Sequence, residues 1–369
     1  MKFLIPLIII LLMPAYLCWH LWHLVPGSAL VKWGVVALVV VLIATLFASV
    51  SPLKESLPLS FATALYEVGT SWLFVMFYLL LAFIVADILR LVHLLPSAWL
   101  HDSWRSVAVM GSVLAVALVW GNFNYRSKQR ISLSAITQKP LSRPLRILFA
   151  SDLHVGFHNQ RAELARWVDM INAERPDMVL IAGDIIDGAI RPLNEFDAAA
   201  EFRRIKAPVY ACLGNHEYLA GVNRSVDFYR RAGITLLRDS TAECCGVRII
   251  GRDDRTNPRR KPLSQLATPS DSLYTILLDH QPYHLEEAEA SRVDYQLSGH
   301  THRGQIWPLS LIVDAIYECS HGSHKRGSTS YYVSSGLGIW GGKFRLGTQS
   351  EYVVIELHSH SATHSIILR

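Results

Sequence analysis

The stretch LRILFASDLH, Leu145 to His154, decides the fold. A run of strand-forming apolar residues, Leu145 to Ala150, passes directly into a polar tip, Ser151-Asp152-Leu153-His154. The pattern returns at DMVLIA, Asp177 to Ala182, which runs into Gly183-Asp184-Ile185-Ile186-Asp187. It returns again at PVYACL, Pro208 to Leu213, which runs into Gly214-Asn215-His216-Glu217. Helical patterns lie between and after: Arg161 to Ala173 with Leu164, Trp167, Val168 and Ile171 on one face, then about Glu195 to Ile205, then about Asn223 to Ala232. Strand, polar tip and helix in repetition mark a parallel α/β sheet. In such sheets ligand-binding groups collect beyond the carboxyl ends of the strands. One polar tip alone would pass as a helix cap, since Asp152, Asp184 and Asn215 are all good capping residues. Capping does not explain why every tip supplies oxygen or imidazole ligands.

Downstream the strands are shorter: Ile234 to Leu237, Val247 to Ile250, and Leu273 to Leu278. The last runs into Asp279-His280-Gln281-Pro282. Val293 to Leu297 reads as a further strand and leads to Gly299-His300-Thr301-His302-Arg303-Gly304-Gln305. In extended backbone, side chains at i and i+2 share a side, so both rings would face one point. Neutral imidazole is a common metal ligand. Tyr331 to Ser334 and Tyr352 to Leu357 read as closing strands, with a glycine-rich loop (Gly336-Leu337-Gly338, Gly341-Gly342) between them. No strand–helix unit surrounds that Gly-x-Gly, so it is not a dinucleotide fingerprint.

The chain has 369 residues, 51% hydrophobic and 18% charged, with a formal net charge of +5. Such a charge does not by itself point to nucleic acid. Five scattered cysteines without a Cys-x-x-Cys spacing give no disulfide framework. The apolar excess lies in the first third. Four membrane spans are expected there: Phe3 to about Val25, Val31 to Val50, Thr70 to about Leu95, and about Ser103 to Gly121. Each is near the roughly 20 residues that cross a bilayer. The first is too long for a signal peptide core and is followed by more membrane-like sequence. Trp33, Trp72, Trp99, Trp104 and Trp120 lie near span ends, as interfacial anchors do. Asp87 and Arg90, three apart, are expected to form a local ion pair. Asn122 to Pro144 reads as a basic connector, whose cations would each gain about 1 kcal/mol near anionic head groups. The expected organisation is therefore a helical membrane domain over 1–121, a basic linker over 122–144 and an α/β domain over 145–369.

Taken together the tips read Asp152-x-His154, Gly183-Asp184-x-x-Asp187, Gly214-Asn215-His216-Glu217, His280, and Gly299-His300-x-His302. In kind and order this resembles the calcineurin-like metallophosphoesterases, over Leu145 to about Leu357. The Gly-His-Thr-His-Arg-Gly-Gln wording is similar to a membrane-anchored bacterial branch of that superfamily. The resemblance implies two facing mixed β-sheets flanked by helices, with two divalent metal ions at the strand tips. It assigns Asp152, His154 and His302 to one ion, Asn215, His280 and His300 to the other, and Asp184 to both. The two histidines of the His-x-His pair are thereby split between ions. Such mixed ligands suit Mn, Fe or Zn. The resemblance gives His216 to the phosphoryl oxygen or the leaving group. Asp187 and Glu217 would orient the ligands, although loop or cap carboxylates would look the same. Arg303 and Arg345 are candidates for phosphate contact by position. The implied reaction is hydrolysis of a phosphodiester or pyrophosphate bond by a metal-bridging hydroxide.

The sequence leaves the substrate open. A membrane anchor suits a lipid-linked phosphoester, such as the pyrophosphates cleaved by the similar UDP-2,3-diacylglucosamine pyrophosphatases, but it equally suits a soluble one. Membrane lipids are expected partners and nucleic acid is not. Arg259, Arg260 and Lys261 form either an anionic-headgroup contact or a solvated loop. Two other classes compete: a catalytically weak metal-binding regulatory membrane protein, and a transporter with a soluble appendage. The complete ligand set with His216 argues against the first, and spans without clustered ionisable groups argue against the second. With four spans, the side bearing Lys2, Lys54, Arg126, Lys128 and Arg130 is the more basic, which places the α/β domain in the cytoplasm, beneath a cell inner membrane. Reporter fusions just after Arg130 should therefore fluoresce as green-fluorescent-protein fusions and give low alkaline phosphatase activity; high phosphatase activity there would reverse the orientation.

Overall fold

The computed structural model describes residues 4–267 and 272–360, with side chains from residue 12 onward. Lys2 and Phe3, at the start of the first expected span, lie outside the described residues. The chain divides into two compact units, residues 1–121 with 341–343, and residues 122–340 with 344–369.

The first unit is helical: α1 (Leu4–Leu24), α2 (Ala29–Val50), α3 (Leu59–Leu91) and α4 (Trp104–Arg126). Among the described residues α2, α3 and α4 are long and apolar enough to cross a membrane. α3 begins at Leu59 rather than near Thr70, because nothing after Pro58 at its N-cap breaks the helix. Its 33 residues would span about 50 Å at 1.5 Å each, more than a hydrocarbon core. Asp87 and Arg90 do approach, at 3.7 Å. Asp87 has closer partners across the unit: the Tyr16 hydroxyl donates to it at 2.8 Å and His20 Nε2 lies 3.0 Å away. The acid is thus mainly a polar tie between α1 and α3.

The second unit is an α/β sandwich. It comprises β1 (Gln129–Thr137), β2 (Leu145–Ala150), α5 (Arg161–Ala173), β3 (Met178–Ala182), α6 (Arg191–Glu195), α7 (Ala198–Phe202), β4 (Val209–Cys212), α8 (Asn215–Ala220), α9 (Val222–Arg231) and β5 (Thr235–Leu236). Then follow β6 (Ser240–Cys244), β7 (Val247–Gly251), α10 (Leu263–Leu266), β8 (Tyr274–Leu278), α11 (Leu285–Ala290), β9 (Tyr295–Ser298), α12 (Leu309–Ile316), β10 (Gly322–Arg326), β11 (Thr329–Val333) and β12 (Glu351–Ser359). One sheet has the order β1-β12-β2-β3-β4-β5 and the other β10-β11-β9-β8-β7-β6. Both are mixed. β2, β3, β4 and β5 run parallel in the first, and β7, β8, β9 and β11 in the second.

Strand alternation builds the layers. Leu145, Ile147 and Phe149 of β2, and Met178 and Leu180 of β3, meet Ile249, Ile276, Leu278 and Leu297 of the other sheet. Their neighbours Leu148, Ala150, Val179 and Ile181 point the other way, onto Leu164, Trp167, Val168 and Phe228 of the helices. Burial on both faces explains the unbroken apolar runs of these strands. A third apolar layer, with Ile250, Leu277, Leu285 and Ala288, covers the outer face of the second sheet.

Several elements differ from the sequence expectation. The segment expected as a basic connector holds β1, paired in parallel with β12 from Gln129↔Glu351 to Thr137↔Ser359. Its Ile131, Leu133 and Ala135 pack against the inter-sheet core. α4 runs to Arg126, past the expected end at Gly121. The helix expected over Glu195 to Ile205 is two short helices, α6 and α7, with Asp197 between them at φ 52°. β6, β10 and α12 were not expected. They are short, and β6 and β10 are polar edge hairpin strands without an apolar run.

Candidate metal centre

The carboxyl ends of the parallel strands of both sheets meet at one edge. The loop after β2 brings Asp152 and His154, that after β3 brings Asp184 and Asp187, and the start of α8 brings Asn215 and His216. From the second sheet, β8 delivers His280 and β9 delivers His300 and His302. Asp152, His154, Asp184 and His280 are almost wholly buried. Unpaired polar groups there would be costly.

Three overlapping groups of ligand-type atoms lie within 4.8 Å of one another: Asp152, His154 and His302; His154, Asp184 and His216; and Asp184, His280 and His300. Asp184 Oδ2 is 3.8 Å from His154 Nε2 and 3.2 Å from His280 Nε2. His154 Nε2 and His302 Nε2 converge to 3.0 Å. Asn215 Oδ1 lies 2.9 Å from His300 Nδ1 and 3.2 Å from His280 Nε2. The two histidines of the His-x-His pair therefore join different groups, and do not face one point. The reason is backbone conformation: His300 (φ 71°) and His302 (φ 48°) are left-handed rather than extended.

The same strain runs through the site. Asp152, His154 and Asp184 also have positive φ, between 46° and 54°. Non-glycine residues at such angles are held there by their surroundings and cluster at functional sites. The glycines of the tips serve close approach. A Cβ on Gly214 would sit 2.1 Å from Asp184 Oδ1, and one on Gly299 2.2 Å from Asp152 Oδ2.

A further layer fixes these groups. Asp187 Oδ1 is 3.2 Å from His154 Nδ1 and 3.5 Å from His216 Nδ1. His280 Nδ1 is 2.7 Å from the Ala182 carbonyl oxygen, which leaves Nε2 facing Asp184. Glu217 accepts the backbone N–H groups of Gly214 (2.7 Å), Asp184 (3.0 Å) and Ile186 (3.0 Å), so it ties the second tip to the third. Asp152 accepts the His300 N–H and so joins the two sheets. Burial would raise the Asp187 carboxyl, but hydrogen bonds from His154, His158 and His216 hold it well below the usual range. Burial pushes the His216 ring down, yet Asp184 and Asp187 lift it to about 9. Burial and the neighbouring His280 hold His300 down at about 4, a neutral ring with a lone pair available.

Arg345 departs from its expected place. It is fully buried, donates to the carbonyl oxygens of His302 (2.9 Å), Ser335 and Gly338, and braces the His302 loop from behind. A phosphate contact is closed to it. Arg303 is partly exposed beside His302. Sequence reasoning missed His158, whose Nδ1 is 3.4 Å from Asp187 Oδ2. Its signal was position alone, four residues after His154. The Gly336-Leu337-Gly338 loop is also part of the site's frame: Leu337 and Gly338 donate to the carbonyl oxygens of Ser151 and Asp152 at 2.9 Å.

This donor set fits divalent metal: buried carboxylate, amide and imidazole atoms converge with their other edges already hydrogen-bonded. The comparisons agree with the geometry. The family model of calcineurin-like phosphoesterases matches residues 145–304. A Helicobacter pylori protein described as an uncharacterized metallophosphoesterase is 31% identical over 70% of this chain and 72% of its own length. One from Campylobacter jejuni is 33% identical over 66% of this chain and 68% of its own. A Danio rerio transmembrane protein with metallophosphoesterase domain is 29% identical over 69% of this chain and 63% of its own. The chain belongs to the metallophosphoesterase family, and it is an enzyme of the phosphoester hydrolase class.

Glu217→Ala would leave three buried N–H donors without their acceptor. At about 1–3 kcal/mol each, urea unfolding of the full chain should show a loss of about 3 kcal/mol or more. A variant as stable as the parent would show that Glu217 does not hold the tips together.

Proposed function

We propose that this chain is a membrane-anchored phosphoesterase whose α/β unit holds two divalent ions and cleaves a phosphodiester or pyrophosphate bond of a substrate presented at a lipid surface. The observation that carries the reading is Asp184, shared between the group with His154 and the group with His280 and His300. In this reading Asp152, His154 and His302 would hold one ion and Asn215, His280 and His300 the other, with Asp184 available to both. Mn, Fe or Zn suits such a set. Bound ions would neutralise phosphoryl oxygens and lower the pKa of water.

The chain's own residues do the remaining work. Asp187 orients His154 and His216 together. His216 stands with its side chain 14% exposed, at the rim of a buried cluster. There it donates a proton to the leaving oxygen, a role typically worth about 100- to 10,000-fold. Arg303 is the basic side chain left to meet a phosphoryl oxygen once Arg345 is excluded. No covalent nucleophile of the enzyme is used.

Two observations support a lipid surface as the place of reaction. The chain carries three helices of membrane-crossing length and apolarity among its described residues. Within the α/β unit, Trp307 and the α12 residues Leu311, Ile312 and Ile316 are each 54–60% exposed. This apolar patch follows His302 closely in the chain. A short helix with exposed aliphatic side chains and an adjoining tryptophan suits the bilayer interface.

Metal-loaded protein should hydrolyse bis-p-nitrophenyl phosphate and lose that activity on chelation. His216→Ala should keep its metal by elemental analysis and lose at least about 100-fold in kcat, whereas Asp184→Ala should lose metal. Full turnover in His216→Ala would remove the proton-donor role, and an inactive parent would leave the regulatory alternative. The paired change Leu311→Ser with Ile312→Ser should lower kcat/KM at least about tenfold on a long-chain phosphodiester in vesicles, since fully burying an aliphatic side chain contributes about 1.5–3 kcal/mol and more than half of each of these is still exposed. The soluble diester should be turned over as before. Equal effects on both substrates would refute the lipid-surface element.

A further inference from the structure

Beyond the carboxyl end of β7, the loop Arg252-Asp253-Asp254-Arg255 borders a cavity of about 490 Å³. Arg252, Arg255, Arg260, Asn257, His284 and Glu287 are among its walls. Two of the three arginines are neutralised. Arg252 Nη1 lies 2.6 Å from Glu287 Oε2 and 3.2 Å from Asp279 Oδ2, and Arg260 Nη1 lies 3.1 Å from Asp279 Oδ1. Arg255 is different. Its Nη1 is buried and has no hydrogen-bond partner. Its guanidinium is held over the ring of Tyr283, 4.2 Å from the ring centre. A buried donor without an acceptor is unfavourable unless something supplies one. Stacking occupies the face of the guanidinium, so its fork of N–H groups can be satisfied only in its own plane, the geometry in which an oxyanion binds.

This cation is joined to the metal centre. Gln281, next to His280, donates to Asp254, next to Arg255, at 2.9 and 3.1 Å. The Tyr283 ring is 4.7 Å from that of Tyr317, and Tyr317 is 6.5 Å from the ring of His300. An aromatic wall therefore runs from His300 to Arg255. The mechanism proposed above uses none of Arg255, Tyr283 or Tyr317.

We propose that Arg255 and the cavity beside it form a second anion subsite, which takes a phosphate-type group. This rests on the reading that the bond cleaved lies at the Asp152–His302 cluster. The group is either a second phosphoryl group of the substrate, set apart from the bond cleaved, or a free anion of the same chemistry. Tyr283 holds the guanidinium in place, and Arg252 and Arg260, tied to Asp279 and Glu287, keep the cavity wall rigid around it. Where the group belongs to the substrate, the subsite favours substrates with two phosphoryl groups over a simple diester.

The test is calorimetric titration of inorganic pyrophosphate into the full chain in detergent, freed of metal by chelation so that binding reports this cavity. Arg255→Gln should weaken binding by about tenfold or more, the loss of one charge-assisted contact. Tyr283→Leu, which removes the stack and keeps the charge, should weaken it as well. Asp184→Asn should bind pyrophosphate as the parent does. Thermal melts of each variant matching the parent establish that the fold is kept. Unchanged affinity in Arg255→Gln, or no binding by the parent, overturns the subsite. Failure of the metal reading shows separately, as absent metal uptake and hydrolysis while the Arg255-dependent binding persists. In the active enzyme, competitive inhibition by pyrophosphate assigns the subsite to the substrate's own second phosphate, and non-competitive inhibition assigns it to a free anion.

Discussion

A carboxylate taken out of water must be surrounded by compensating charge or hydrogen bonds. Asp184 is where the α/β unit meets that constraint. It is 2% exposed, faces His154 and His280 from one oxygen, and accepts the His216 N–H on the other at 2.9 Å. Around it the tips must crowd. Gly214 leaves no room for a Cβ, and Glu217 gathers the N–H groups of two loops. The left-handed backbone at Asp152, His154, Asp184, His300 and His302 follows from the same crowding. Strain of this kind is maintained only by a framework that fixes it from outside.

That framework is the pair of sheets. β2, β3, β8 and β9 are buried on both faces, so they are stiff and accurately placed, and their carboxyl ends carry ligands to a fixed point. Asp152 receives the His300 N–H across the two sheets, and Arg345 locks the His302 loop to Ser335 and Gly338. Burial lowers the Arg345 guanidinium to about 10, but its carbonyl partners remain ideal for a cation. The arginine that position alone suggested as a substrate contact is therefore part of the scaffold. Arg255, whose position in sequence signalled nothing, lines a cavity and holds a buried nitrogen without a hydrogen-bond partner.

Much of this was legible in the chain because the physical signals are local. A strand buried on both faces must be a continuous apolar run, and the residues just beyond it must be those the site needs. Leu145 to His154 shows both. The missing parts had weak or misleading local signals. β1 looked like a linker because its half-buried alternation, Ile131, Leu133 and Ala135, lies among polar and basic residues. The long helix over Glu195 to Ile205 failed because Asp197 adopts a left-handed conformation and caps α7 through its side chain. Asp87 looked like half of a local pair, yet its stronger partners, Tyr16 and His20, lie far away in sequence.

The sequence by itself determined the α/β architecture, the family and the residue types gathered at the strand tips, since apolar periodicity and tip composition are written residue by residue. It also marked a long apolar helical region ahead of that unit. Only the tertiary structure decided which tip atoms meet. It separated His300 from His302, because their left-handed backbone overrides the side-by-side geometry of an extended pair. It buried Arg345, joined His158 and Asp187, and left Arg255 stacked on Tyr283 beside a cavity. Those outcomes depend on how two sheets pack face to face, and no stretch of either sheet specifies its partner across the gap.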